Sequence, residues 1–278
     1  MILVTGATGQ LGSDVVNELK HRGVDHVGID IADLDITNAA DVNDFFKVLS
    51  PASVIHCAAY TSVDSAEDEP DLCMSVNSVG TENIARACQE ANAEMIYIST
   101  DYVFSGDGIL PYEIDSSTFP LSVYGSSKLL GENAVQQRLE KYYIIRISWV
   151  FGANGNNFVK TMINHAKVKD ELSVVSDQIG SPTFTSDLAS LLCDIAFSGK
   201  YGIYHATNEG FCSWAEFAEE IMKQIDSPCK IRRISTEQYP TKATRPRNSR
   251  LSKSSLDIAG FSRLPEWEDA LRRFLSKQ

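Results

Sequence analysis

Short apolar runs alternate with longer amphipathic ones through the first half of the chain. ILVT (2–5), HVGID (26–30), SVIHCAA (53–59), EMIYIST (94–100) and YYIIRISW (142–149) read as strands. QLGSDVVNELKHRG, NAADVNDFFKVL, SVNSVGTENIARACQEAN and SVYGSSKLLGENAVQQRLE lie between them, with apolar residues at helical spacing. Strands of nearly continuous hydrophobicity, each followed by a helix, predict a parallel sheet covered on both faces. The expected fold class is α/β, a doubly wound, Rossmann-like parallel sheet.

Beyond about residue 150 the rhythm loosens. Pro182, Pro228, Pro240 and Pro246 interrupt it, and helices such as SWAEFAEEIMKQI (213–225) alternate with short strands and loops. The expectation is a dinucleotide-binding domain over 1–150 and a smaller C-terminal α/β substrate-binding lobe over 151–278. A segment near 183–198, TSDLASLLCDIAFS, packs back to complete the first domain.

The glycines sharpen this picture. VTGATGQLGSDVV sets Gly6, Gly9 and Gly12 directly after the first strand and at the opening of the first helix. Glycines there permit a tight turn and bring backbone N–H groups close to a pyrophosphate at a helix N-terminus. A ligand-free glycine turn is the alternative, and the surrounding β-α-β rhythm favours the dinucleotide. At the end of the second strand, GIDIADLDITN supplies Asp30, with Asp33 and Asp35 behind it. A carboxylate accepts hydrogen bonds from both ribose hydroxyls and repels a 2′-phosphate, and no Arg lies in the stretch. NADH is therefore expected over NADPH. Asp35 is open to a helix cap or an adenine contact.

Candidate chemistry lies at the carboxyl edge of the fourth strand. ISTDYVFSG ends that strand with Ser99, Thr100 and Asp101, and the next helix carries Tyr124 and Lys128 four residues apart. Residues i and i+4 share a helix face. Reducing a ketone by hydride leaves an alkoxide that needs a proton. A neutral tyrosine can donate one, and a nearby cation lowers its pKa. Lys128 can also hydrogen-bond a nicotinamide ribose, and Thr100 can polarise the carbonyl oxygen. Without the glycine loop and the strand-end STD, the same pair would be an ordinary aromatic and a solvated charge.

Composition narrows the partners. With 278 residues, a net charge of −12 and a pI of 4.9, the chain offers no broad basic surface for nucleic acid. No apolar run approaches the ~18 residues of a membrane span. The chain runs into its first strand from Met1, without room for a secretion signal. The six cysteines are scattered without a C-x-x-C pair, which reads as reduced thiols in a cytoplasmic protein. His56, His165 and His205 do not group as metal ligands, and His56 reads as a core histidine.

Taken together, Thr5–Gly12 as T-G-x-x-G-x-x-G, Thr100, and Tyr124-x-x-x-Lys128 resemble the extended short-chain dehydrogenase/reductase family. GATGQLG, HCAAYTSVDSAEDEP, ISTDYVFSG, YGSSKLLGE, RISWVFG, VVSDQIGSPT and RPRNSRL resemble one branch of it, the dTDP-4-dehydrorhamnose reductases, over essentially the whole chain. The resemblance implies reduction of a dTDP-4-keto-6-deoxy sugar by NADH or NADPH, with Thr100, Tyr124 and Lys128 catalytic and Asp101 tuning the proton donor. It implies that Gly9, Gln10 and Leu11 face the pyrophosphate, that Ala58, Ala59 and Tyr60 follow the cofactor, and that Trp149 contacts the sugar nucleotide. A homodimer is compatible with it. Mg2+ is too, with Glu266 and Glu268 as carboxylates able to hold it between subunits, although no metal-ligand set is visible. The regulatory subunit of methionine adenosyltransferase, a non-catalytic relative on this scaffold, and a nucleotide-sugar epimerase or dehydratase are the alternatives.

A nucleoside diphosphate brings negative charge. PTKATRPRNSR gathers Lys242, Arg245, Arg247 and Arg250 in an otherwise acidic chain, and guanidinium groups bind diphosphate oxygens bidentately. Arg245 and Arg247 are the candidate anion clamp, an internal salt-bridged loop being the alternative. Asn154, Asn157 and Gln178 could line the sugar or base site, or serve their own loops.

Overall fold

A computed structural model describes residues 1–277. Its first half runs β1 (Ile2–Thr5), α1 (Gln10–His21), β2 (His26–Ile29), α2 (Ala39–Leu49), β3 (Ser53–His56), and the short helices α3 (Val63–Ala66) and α4 (Pro70–Met74). A π-turn over Ser75–Gly80 leads into α5 (Thr81–Ala91), then β4 (Glu94–Thr100), α6 (Val123–Arg138) and β5 (Tyr142–Ile147). The second half adds β6 (Val150–Phe151), α7 (Phe158–Ala166), β7 (Glu171–Val175), β8 (Ile179–Gly180), β9 (Thr183–Phe184) and α8 (Thr185–Ile195). It continues with β10 (Gly202–His205), β11 (Cys212–Ser213), α9 (Trp214–Gln224), β12 (Lys230–Ile234), β13 (Asn248–Ser249), α10 (Ser254–Ala259) and α11 (Trp267–Leu275).

Six strands form one parallel sheet in the order β10-β5-β4-β3-β1-β2. The winding reverses between β1 and β3, and a crevice opens there at the strands' carboxyl ends. Alternate strand residues face opposite sides. Ile2, Val4, Ile55 and Ile145 meet Val15 and Leu19 of α1 and Leu188 and Leu192 of α8. Leu3, Val54, Met95 and Ile144 meet Val42 and Phe46 of α2 and Ile84 and Cys88 of α5. Helices therefore cover both faces, which accounts for the unbroken apolar strands.

Two features depart from the pattern read along the sequence. The helix expected across Ser75–Asn92 is divided, its first turn wound as a π-turn that holds one more residue than an α turn. The sixth strand of the main sheet, β10, comes from far beyond residue 150 and pairs with β5. After Trp149 the chain also builds small sheets (β11-β8-β13, β12-β7 and β6-β9) around an aromatic core of Phe151, Phe184, Phe217, Trp267 and Phe274. Among the described residues, no helix is long and apolar enough to cross a membrane.

Candidate active site

The first wall of the crevice is backbone. From Thr5 the chain turns at Gly6, whose φ of +65° favours glycine. A Cβ on Gly6 would lie 2.7 Å from the Ala58 nitrogen, and one on Gly12 would lie 2.0 Å from the Gly6 oxygen. The loop thus sits flat against the chain leaving β3. No side chain caps α1, so its first N–H groups and the positive end of its dipole open onto the crevice, as a seat for an anion.

The crevice encloses about 900 Å³, and Gly9, Gln10, Leu11, Asp30 and Asp35 line its cofactor side. Asp30 Oδ2 accepts from the Thr8 amide at 3.0 Å and from the Thr8 hydroxyl at 2.5 Å. Burial acts to raise this carboxyl; the donors from Thr8 and Ile31 outweigh it and leave Asp30 below its ordinary pKa. Asp30 therefore braces the glycine loop as well as presenting negative charge at the end of β2. Asp35 accepts from the Thr37 amide at 2.9 Å and its hydroxyl at 2.7 Å, so it shapes a turn while facing the crevice. Ala58, Ala59 and Tyr60 continue the lining from β3. The glycine cradle, the uncapped helix and the acid on β2 fit a dinucleotide.

The opposite wall is made of side chains. Ser122 caps α6, accepting from the Gly125 amide at 3.1 Å. A Cβ on Gly125 would lie 2.3 Å from the Tyr102 oxygen, so glycine lets α6 press against the turn after β4. That approach sets Tyr124 edge-on to Tyr102, with ring centroids 5.5 Å apart. Thr100, Asp101, Tyr124, Lys128 and Trp149 all face the same crevice as the glycine loop. Thr100 donates to Asp101 Oδ1 at 3.0 Å, while Asp101 Oδ2 is buried without a partner. Burial raises the Asp101 carboxyl to about 6, opposed by the nearby Ser249 and Thr100 hydroxyls.

Tyr124 and Lys128 respond to burial in opposite directions. Burial carries the phenol well above its ordinary pKa, the Thr100 hydroxyl opposing and the negative charge of Asp101 adding to the rise. The phenol is therefore a neutral proton donor at pH 7. Burial lowers Lys128 to about 7, with the Glu132 carboxylate the largest opposing influence. The Lys128 ammonium lies 4.2 Å from the centre of the Tyr97 ring. The expected lowering of the phenol by Lys128 is thus outweighed, because desolvation dominates both groups.

One site residue carries no sequence signal. Asn77, on the π-turn, accepts from the Tyr60 amide at 2.8 Å and donates to the Tyr60 carbonyl at 3.0 Å and to Ser127 Oγ at 3.0 Å. Ser127 donates to the Tyr124 carbonyl at 2.7 Å. Asn77 thereby staples the two walls together.

The remaining candidates divide between the crevice and their own loops. Trp149 has a φ of +50° and stacks on Trp214, with centroids 3.7 Å apart. Arg245 bonds Asp64 at 2.5 Å and Tyr102, Arg247 pairs with Glu237, and Lys242 pairs with Asp68. None of these cations lines the crevice. The internal salt-bridged loop describes them, because acidic neighbours invisible as such in the sequence meet each one. Asn157 caps α7 and donates to Gln10 Oε1 at 3.0 Å, so it links the second half of the chain to the glycine loop. Gln178 bonds Thr236, and Asn154 is exposed. His56 bonds Thr5 at 2.7 Å and Thr81 at 3.2 Å inside the core. Glu266 and Glu268 flank a shallow depression between α9 and α11, and no cluster able to hold a metal occurs among the described residues.

Comparison with known proteins gives this geometry a family. The model of the RmlD substrate binding domain matches residues 1–278. The spore coat polysaccharide biosynthesis protein SpsK of Bacillus subtilis is 42% identical over 100% of this chain and 97% of its own length. A dTDP-4-dehydrorhamnose reductase of Streptomyces griseus is 41% identical over 97% of this chain and 91% of its own. The crystal structure of dTDP-4-dehydrorhamnose reductase from Bacillus anthracis in complex with NADP superposes with a TM-score of 0.97 at 42% identity, covering 100% of this chain and 99% of that one. The chain belongs to the RmlD family, the dTDP-4-dehydrorhamnose reductase branch of the extended short-chain dehydrogenases/reductases.

Proposed function

We propose that the protein reduces the C4 ketone of dTDP-4-dehydro-L-rhamnose to the alcohol of dTDP-L-rhamnose, with NADH or NADPH as reductant. One observation carries the reading: Thr100, Tyr124 and Lys128 face the glycine loop across a single crevice. When bound, the reduced nicotinamide supplies the hydride. Tyr124 gives its phenolic proton to the oxygen of the former ketone, so one C–H and one O–H bond form as the C=O π bond is lost. Thr100 turns its hydroxyl from Asp101 to donate to that oxygen while charge develops on it. Lys128 steadies the phenolate left on Tyr124.

Asp101 and Trp149 are assigned to the sugar nucleotide, and the uncapped end of α1, with Gln10 and Leu11, to the cofactor pyrophosphate. Asp30 supports a preference for NADH, since its charge opposes a 2′-phosphate. The Bacillus anthracis relative, described in complex with NADP, argues that the preference is one of degree. Six free cysteines accord with a reducing cytoplasm. An intact Tyr124–Lys128 pair on the crevice wall favours catalysis over a cofactor-sensing subunit.

Incubating the protein with dTDP-4-dehydro-L-rhamnose and NADH or NADPH tests this reading. Stoichiometric cofactor oxidation with dTDP-L-rhamnose as product is expected. Tightly held NAD with no net oxidation would point to an epimerase instead.

A further inference from the structure

Below the catalytic pair, α6 carries a third ionisable group on the same face. Tyr124, Lys128 and Glu132 follow one another at four-residue steps. Glu132 is 1% exposed. Its Oε1 accepts from Ser99 Oγ at 2.5 Å and Arg146 Nε at 2.9 Å, and its Oε2 accepts from Arg146 Nη2 at 2.7 Å. Ser99 and Arg146 are register partners on β4 and β5, and Thr100 is the next residue of β4. One carboxylate therefore ties the catalytic helix to both strands beside Thr100. Arg146 also donates from Nη1 to the Ile114 carbonyl at 3.0 Å, and its guanidinium lies 5.0 Å from the centre of the Phe104 ring.

Stability alone is a poor reason for such a pair, because desolvation offsets the attraction and apolar side chains of similar volume serve as well. What apolar side chains would not supply is a negative charge one helical turn from Lys128. The groups facing Lys128 are Tyr124 and Glu132 on α6, His56 on β3, Cys57 after it, Cys73 on α4 and Tyr97 on β4. Burial keeps His56 neutral, lowering it to about 3, and keeps the thiols of Cys57 and Cys73 and the Tyr97 phenol protonated. Glu132 is the carboxylate of this set.

We propose that Glu132, clamped by Arg146 and Ser99, is a positioning residue that holds α6 in register with Thr100 and favours the charged form of Lys128. The consequence for turnover rests on the reductase reading, whereas the effect on Lys128 does not. The test is a pH titration of the Lys128 ε-carbon by NMR in 13C-lysine-labelled protein, assigned by its loss in Lys128→Met. Glu132→Gln should lower the midpoint by about one pH unit or more, and Glu132→Asp should restore part of it. The alkaline limb of kcat/KM should move down with it, since Lys128 loses its proton sooner, while NADH affinity stays within about threefold and kcat falls about 10- to 100-fold. Should Glu132→Gln fail to fold, the apolar pair Glu132→Leu/Arg146→Met keeps the packing, and a lowered midpoint is again expected, smaller than in Glu132→Gln because the Arg146 cation is removed as well. An unchanged midpoint in a folded variant that binds NADH overturns the proposal, as does a lost kcat with an unmoved alkaline limb. If the wild type oxidises no NADH with the sugar nucleotide, the reductase reading fails and the NMR midpoints still decide the role of Glu132.

Discussion

The two walls of the crevice are built by different means. On the glycine-loop side, space is the limiting quantity: backbone meets backbone at Gly6, Gly12 and Ala58, and the carboxylates of Asp30 and Asp35 are each held by a threonine, Thr8 and Thr37. On the α6 side, charge is the limiting quantity: Asp101, Lys128, Glu132 and Arg146 are each at most 5% exposed. The first wall should tolerate changes of charge and fail on added volume. The second should respond to changes of charge even where shape is kept.

Gly12→Ala presses hardest on this contrast. Its Cβ would enter the space of the Gly6 oxygen, and that neighbour is backbone. NADH affinity, followed by cofactor fluorescence, should fall more than about 100-fold, with about 1–3 kcal/mol of stability lost to overpacking. Asp101→Asn is the counterpart on the charged wall. The Asp101 carboxyl is raised to about 6 from 3.8, so its contribution to stability is complete below pH 3.8 and is lost as pH rises through 6. Asp101→Asn should therefore unfold at higher denaturant than wild type at pH 8, by at most about 3 kcal/mol, with the advantage gone at pH 4. An advantage that persists at pH 4 would mean the gain is one of packing.

Smaller effects sharpen the picture. Asp30→Ala should narrow the NADH-to-NADPH ratio of kcat/KM by about tenfold, and an unchanged ratio would confine Asp30 to bracing Thr8. Asp68→Asn frees Lys242 from an exposed pair, so stability should move by less than about 1 kcal/mol. A large change in the KM for the sugar nucleotide would instead return this segment to the role of anion clamp.

The same contrast decides what could be read along the chain. Glycines, strand ends and the four-residue step from Tyr124 to Lys128 are local, and each has its physical reason within a few neighbours. Asn77 sits on a π-turn whose periodicity resembles the helix that follows, and it acts through Tyr60 and Ser127. The basic stretch from Lys242 to Arg247 looks free in sequence because Asp64, Asp68 and Glu237 approach it only in the fold. Glu132 looks like an exposed helix acid until Arg146, from the next strand, covers it. β10 enters the main sheet through its pairing with β5, and its own short apolar run gives no hint of that partner.

Tyr124→Phe tests the division of labour most directly, with NADH affinity and turnover of dTDP-4-dehydro-L-rhamnose measured on the same preparation. Removing one hydroxyl from the charged wall should cut kcat by about 100- to 10,000-fold and leave the NADH Kd within about threefold. Turnover near the wild-type rate would contradict the account, because the proton would then reach the sugar oxygen from another group.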